Sequence, residues 1–126
     1  MNLALVLALG AAGGLGAVAR FVLDDVIRAP LPGVVPIGTM TVNISGSFLL
    51  GLLTALGMAS VLPPEWILVC GVGFLGAYTT FSTASSETVR LLQAGRVGAA
   101  LLSGAGTALA ALAAAALGLS AGLLLA

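Results

Sequence analysis

The charged residues of this chain lie only at the ends of four long uncharged stretches. The chain holds four basic and four acidic side chains among 126 residues. Between them run the uncharged ranges 1–19, 29–64, 66–86 and 97–126. Each range is long enough to cross about 30 Å of hydrocarbon as a helix. The pattern therefore predicts an all-α integral membrane protein built as a bundle of four transmembrane helices.

The overall composition supports a membrane location. Hydrophobic residues make up 60% of the chain and charged residues 6%, which lies far outside the range for soluble domains. The first apolar stretch lacks the basic leading region of a signal peptide, and three further spans follow it. We therefore expect a multi-pass protein of the cell inner membrane or plasma membrane.

Composition also excludes several classes of function. Cys70 is the only cysteine and histidine is absent, so the chain cannot form an intramolecular disulfide or a thiol–imidazole dyad, and it has no histidine to hold haem. The net charge is zero and lysine is absent, whereas nucleic-acid binding needs a basic patch. We predict that the protein is not an enzyme and does not bind nucleic acid.

Turn residues divide the chain into spans within one membrane domain, residues 1–126. Proline and glycine at 30–33 and the proline pair at 63–64 end the first and second spans. The predicted helices cover 3–21, 36–62, 66–92 and 97–125. Four short spans leave little room for an internal pathway, so we expect the protein to be an oligomer.

Polar residues form one stripe along the second span. Thr39, Asn43, Ser47 and Thr54 fall within an arc of about 80° when each residue turns a helix by roughly 100°. An unpaired amide in hydrocarbon is costly, so Asn43 should face protein or water. Two explanations stay open: a hydrogen bond between helices, or a path for a polar solute.

The third span contains a run rich in hydroxyl residues at 79–86, preceded by Gly73 and Gly76. Such a segment is expected to unwind and break the helix, and irregular backbone at membrane depth must be buried in protein or line a cavity. Freed carbonyls at broken helices coordinate cations in many transport proteins. The alternative is a bent but continuous helix whose hydroxyls bond to their own preceding turn.

Three segments together resemble a known family, the bacterial CrcB/Fluc fluoride channels. They are GGLGAVARF at 13–21, GTMTVNISGSF at 38–48, and GAYTTFST at 76–83 with Glu87 following. The resemblance implies an antiparallel dimer containing two narrow fluoride pores and a structural Na⁺ at its centre. It also implies that the backbone carbonyls of Gly76 and Thr79 bind this Na⁺.

The resemblance also implies which residues contact fluoride. Asn43 would donate its amide to the anion, and Phe81 would present the positive edge of its ring. Arg20 and Glu87 would have vestibule or structural roles. The remaining pore residues would be Thr39, Thr80, Ser82, Thr83 and Thr107.

A passive channel is sufficient for fluoride export. The sequence contains no nucleotide-binding motif and no carboxylate in the middle of a span. A negative-inside potential of 100 mV is worth about 2.3 kcal/mol per charge, or roughly 50-fold in anion concentration. The predicted function is a fluoride-specific ion channel that lowers the cytoplasmic fluoride concentration.

Some positions depart from the family pattern and leave alternatives open. Ala84 replaces a second pore phenylalanine, Ser103 replaces a common tyrosine, and Phe21 replaces the usual tyrosine after the arginine. The chain could therefore be a partner-dependent or non-conducting subunit of a heterodimer with a homologue. A small multidrug exporter would need a carboxylate in the first span, which has none before Asp24.

The arginines are unevenly distributed between the two ends of the spans. All four lie around the connections that follow the first and third spans. By the positive-inside rule this bias favours one orientation. An antiparallel homodimer instead needs nearly equal insertion in both directions, so homodimer and heterodimer both stay open.

Overall fold

The computed structural model describes residues 1–31 and 33–126, which form helices and no β-strand. Within these residues, four apolar helical segments are long enough to cross a membrane. The helices are α1 (Leu3–Arg28), α2 (Ile37–Met58), α3 (64–78), α4 (Phe81–Gln93) and α5 (Val97–Leu125), with α3 and α4 forming the third span. The all-α architecture with four apolar spans is confirmed. Pro32, part of the predicted turn at 30–33, lies outside the described residues.

The first two helices end at different residues from those predicted. α1 continues beyond residue 21 to Arg28, and the ion pair of Arg28 with Asp24 one turn earlier, at 3.0 Å, supports this last part of the helix. α2 ends at Met58 instead of residue 62. Ser60 adopts a left-handed conformation with φ 55°, which terminates the helix.

The third span is interrupted at two residues. The last residue of α3 is Tyr78, and Thr79 and Thr80 are extended, with ψ angles of 159° and 121°. Helical geometry resumes at Phe81. A wider π-helical stretch precedes the interruption at Leu68–Leu75. Such stretches are rare and often occur at functional sites.

Small residues allow α2 and α5 to pack closely. A Cβ atom added at Gly118 would overlap the backbone carbonyl of Phe48. Because lipid provides no hydrophobic drive between helices, such backbone contact supplies the packing energy in membranes.

A small core lies beside the interruption. Val42, Leu75 and Tyr78 are buried together, and the Tyr78 ring stacks on Phe74 with centroids 5.9 Å apart. The Tyr78 hydroxyl lies 2.9 Å from the Ser45 hydroxyl. The core thus attaches the end of α3 to α2.

Candidate functional site

Asn43 on α2 forms two hydrogen bonds with the backbone of Thr80. Its Nδ2 donates to the Thr80 carbonyl at 2.9 Å, and its Oδ1 accepts from the Thr80 N–H at 2.8 Å. The paired bonds determine the orientation of the amide, because donor and acceptor each face their complement. Asn43 therefore holds the interrupted backbone against α2.

Side chains at the interruption take the N–H donors that two backbone carbonyls would have in a continuous helix. In a continuous helix the Thr80 N–H would pair with the Gly76 carbonyl, but here it donates to Asn43. The Thr83 N–H would pair with the Thr79 carbonyl, but it donates to the Thr80 hydroxyl at 3.1 Å. The carbonyls of Gly76 and Thr79 thereby lose their helical donors.

Two further contacts hold the backbone around the interruption. Arg20 on α1 donates from Nε to the Ala77 carbonyl at 3.1 Å, and its guanidinium carbon lies 4.9 Å from the centroid of the Phe21 ring. On the α2 side, a Cβ at Gly46 would overlap the Thr79 methyl group. Glycine at this position therefore allows the interruption to lie directly against α2.

A groove of about 740 Å³ runs beside the interruption and is lined by α2, α3, α4 and α5. Phe81 stands at this groove with 88% of its surface exposed. The Thr107 hydroxyl is buried there and has no hydrogen-bond partner among the described residues. Polar side chains line the groove from Asn43, Ser47, Thr79, Thr80, Ser85, Thr88, Ser103 and Thr107.

Other predicted site residues lie elsewhere. Thr39 is buried and donates its hydroxyl to Glu87 Oε1 at 3.0 Å, and Arg28 lies 3.5 Å from the same oxygen. Ser82 and Thr83 are in the first turn of α4 but are not among the groove-lining residues. The structure thus groups Asn43, Thr80, Phe81, Thr107, Gly76 and Thr79 at the groove, and places Glu87 in a polar network at one end of the bundle.

Comparison with models of protein families shows which family this chain belongs to. Residues 7–119 match the family model described as CrcB-like protein, Camphor Resistance (CrcB). The chain belongs to the CrcB family. The resemblance inferred from the three sequence segments is therefore confirmed.

Individual relatives in the CrcB family are similar over most of their length. The chain is 58% identical over 114 residues to the fluoride-specific ion channel FluC 1 of Leifsonia xyli subsp. xyli, covering 90% of this chain and 83% of that protein. It is 48% identical over 95 residues to the fluoride-specific ion channel FluC of Shewanella pealeana, covering 75% of each. The FluC protein of Shewanella halifaxensis is 46% identical over 102 residues, or 81% of each chain.

Three polar groove residues of this CrcB family member were neither predicted site residues nor part of the stripe on α2. Ser85 and Thr88 follow Phe81 at helical spacings of four and seven residues, so they line the same face of α4. That spacing could have identified them. Ser103 is buried at the groove within a π-helical stretch of α5, which residue spacing alone does not indicate.

Proposed function

We propose that this protein is a fluoride-specific ion channel that releases fluoride passively across the membrane. The observation that carries the proposal is the 58% identity, over 90% of the chain, to a protein named as such a channel. Four apolar spans and a groove containing polar side chains are consistent with that function.

The groove provides donors suited to a small, strongly hydrated anion. Asn43 Nδ2 carries two hydrogens, and the Thr80 carbonyl takes one. The buried Thr107 hydroxyl is a second donor, and the exposed Phe81 ring can present its positive edge. We assign these three side chains to the fluoride path, where they replace part of the hydration shell.

The absence of charged side chains around the groove, among the described residues, favours passage of fluoride over tight binding. All of the side chains that line it in the described part of the chain are uncharged. A fixed cation at such a position would bind fluoride too strongly for it to leave, whereas conduction requires moderate binding at several sites. The neutral donors meet that requirement.

The Gly76 and Thr79 carbonyls fit the predicted Na⁺ site. Both lose their helical donors, and backbone carbonyls at broken helices are suitable Na⁺ ligands. A bound cation would interact favourably with the carbonyl oxygens at the interruption and would stabilise the interrupted backbone. Two carbonyls do not complete a coordination shell, so we assign the remaining ligands to a second subunit.

We propose that the functional unit is an antiparallel dimer. The groove is partly open at the surface of the single chain, and Phe81 contacts little of its own chain. A partner subunit would supply the missing wall and exclude lipid from the path. Thr39, Ser82 and Thr83 stay predicted pore residues of this assembly.

A heterodimer is the second candidate assembly. Ala84 lines the groove, at the position where the family resemblance implies a second pore phenylalanine. Three arginines gather at one end of the bundle, which favours insertion in a single orientation. An oppositely inserted homologue would then supply the second ring.

Fluoride efflux from liposomes tests the proposed function. Purified protein is reconstituted into liposomes loaded with potassium fluoride, and a potassium ionophore starts the efflux, which a fluoride electrode records. We expect rapid fluoride release and no comparable chloride release from matched chloride-loaded liposomes. Release no faster than from protein-free liposomes would contradict a channel formed by this chain alone.

A further inference from the structure

A second cavity lies away from the groove, at the end of the bundle where α1 and α4 terminate. It has a volume of about 260 Å³ and is lined by Arg28, Arg90 and Arg96. We call these three residues the arginine cup. The fluoride path described above uses none of them.

Rigid local structure positions each member of the arginine cup. Arg28 and Arg90 lie in the last turns of α1 and α4. Arg96 follows Gly95, which has φ 75°, and its N–H bonds to the Leu91 carbonyl at 2.9 Å. This pattern is a helix-terminating motif that requires the left-handed glycine, so the backbone of Arg96 is held against the end of α4.

The cup has an excess of positive charge. Arg28 pairs with Asp24 at 3.0 Å and with Glu87 at 3.5 Å. Arg90 and Arg96 are exposed and form no ion pair with any residue in the described part of the chain. Glu87 is the single carboxylate among the described residues of the lining.

Backbone charge adds to that of the side chains. The first residue of α2, Ile37, and the preceding Pro36 also line the cavity. Pro36 has no N–H and the Ile37 N–H donates to the Val35 carbonyl at 2.9 Å, so this end of α2 contributes only the partial positive charge of its helix dipole. The cavity is therefore suited to a phosphate group.

We propose that the arginine cup binds the phosphate of an anionic phospholipid. The cavity lies at helix ends, where headgroups meet protein, and guanidinium groups bind phosphate through two parallel hydrogen bonds. Exposed Leu31 and Val34 also line it and provide apolar contact for the start of the acyl chains. Basic pockets between transmembrane helices on the cytoplasmic side bind anionic headgroups, and the arginine bias favours that side for this end.

Native mass spectrometry of the detergent-solubilised protein tests this assignment. Dioleoyl phosphatidylglycerol is titrated against wild type and the Arg90→Gln/Arg96→Gln variant, with dioleoyl phosphatidylcholine as the neutral lipid. We expect affinity for phosphatidylglycerol to fall about 5-fold for each arginine removed, corresponding to about 1 kcal/mol per arginine near a membrane surface. Affinity for phosphatidylcholine should not change.

Asn2→Asp is the matched control. It lowers the net charge by one, half the change in the double variant, but at the opposite end of α1, and aspartate preserves the N-cap that Asn2 forms with the Leu5 N–H. Its affinity for phosphatidylglycerol should equal that of wild type. Both substituted arginines are exposed, so an unchanged size-exclusion profile will show that the variant is folded.

Two results would overturn the proposal. One is equal phosphatidylglycerol affinity in wild type and the double variant. The other is complete displacement of the lipid by inorganic phosphate together with thermal stabilisation by phosphate alone, because the ligand would then be a free anion.

Discussion

At the scale of single residues, Asn43 takes the place of a helical hydrogen-bond partner for the interrupted backbone at Thr80. Its amide accepts from the Thr80 N–H and donates to the Thr80 carbonyl. An unpaired amide in hydrocarbon costs free energy, so the Asn43 side-chain amide and the Thr80 backbone amide hydrogen-bond to each other where the backbone leaves the helix. The same amide keeps one hydrogen for the groove, so Asn43 combines a structural contact with a proposed ligand role.

Asn43→Asp is expected to reduce both stability and fluoride efflux. A carboxylate still accepts from the Thr80 N–H but cannot donate to the Thr80 carbonyl, and its charge repels fluoride. We expect a loss of about 1–3 kcal/mol in the free energy of unfolding, measured by thermal unfolding in detergent. Thr54→Val is the control, because the exposed Thr54 hydroxyl bonds within its own helix to the Leu50 carbonyl. Efflux at the wild-type rate would contradict the assignment of Asn43.

Phe81→Ala is expected to slow fluoride efflux without lowering stability. The ring is 88% exposed in the single chain, so its removal leaves no cavity within the fold. The loss of the positive ring edge removes one proposed contact with the anion. Trp66→Ala is the control, because Trp66 is also exposed but does not line the groove. If the electrode records equal efflux for Phe81→Ala and Trp66→Ala, the ring does not contribute to the path.

At the scale of elements, the interrupted span is held from two sides. α1 contacts the end of α3 through Arg20 and the Ala77 carbonyl, while α2 contacts the first residue before α4 through Asn43 and Thr80. α3 and α4 are therefore fixed separately, and the Gly76 and Thr79 carbonyls are left without their helical donors.

Replacing Na⁺ by a large organic cation is expected to destabilise the assembled protein, since the Gly76 and Thr79 carbonyls would lose the proposed Na⁺. N-methylglucamine chloride should lower the unfolding temperature relative to sodium chloride. Thr79→Ser should respond as wild type does, because Thr79 is proposed to act through its backbone and serine keeps the hydroxyl that bonds to Leu75. Gly76→Leu should reduce the sodium dependence by placing a side chain in the groove. Identical unfolding of wild type in both salts would rule out the cation site.

At the scale of the whole molecule, the two ends of the bundle differ in charge. Arg28, Arg90 and Arg96 line one cavity at one end, whereas Arg20 lies eight residues earlier within α1 and bonds to the Ala77 carbonyl. The opposite end, with Glu65 and both termini, has no arginine in the sequence. Such an uneven distribution of arginine influences the orientation in which a subunit inserts into the membrane. The orientations available in turn limit how two subunits can pair.

The positive-inside rule predicts that this chain expressed alone inserts with its C-terminus outside. A cysteine added at the C-terminus, on a Cys70→Ala background, should therefore be labelled mainly by reagent applied outside. That result supports a heterodimer with an oppositely inserted homologue. Equal labelling from both sides, with fluoride efflux from the same preparation, would instead establish the antiparallel homodimer.

Much of the candidate site was predictable because its signals are local. The hydroxyl-rich run located the interruption, and the stripe on α2 selected Asn43. The stripe did not indicate what Asn43 bonds to, and the structure shows that it bonds to the backbone of Thr80 in the interruption. Thr39, on the same stripe, bonds to Glu87 far along the chain, which no local pattern could indicate.

The length of the uncharged stretches and their apolar composition were sufficient to predict the four spans. Each span must by itself be apolar and long enough to cross the membrane. Tertiary packing decided what depends on several segments at once. It determined which carbonyls lose their helical donors, which hydroxyls face the groove, and which arginines share a cavity. These features arise from contacts between residues distant in the chain, since hydrogen bonds and close packing can be satisfied by many alternative partners until the helices are in place.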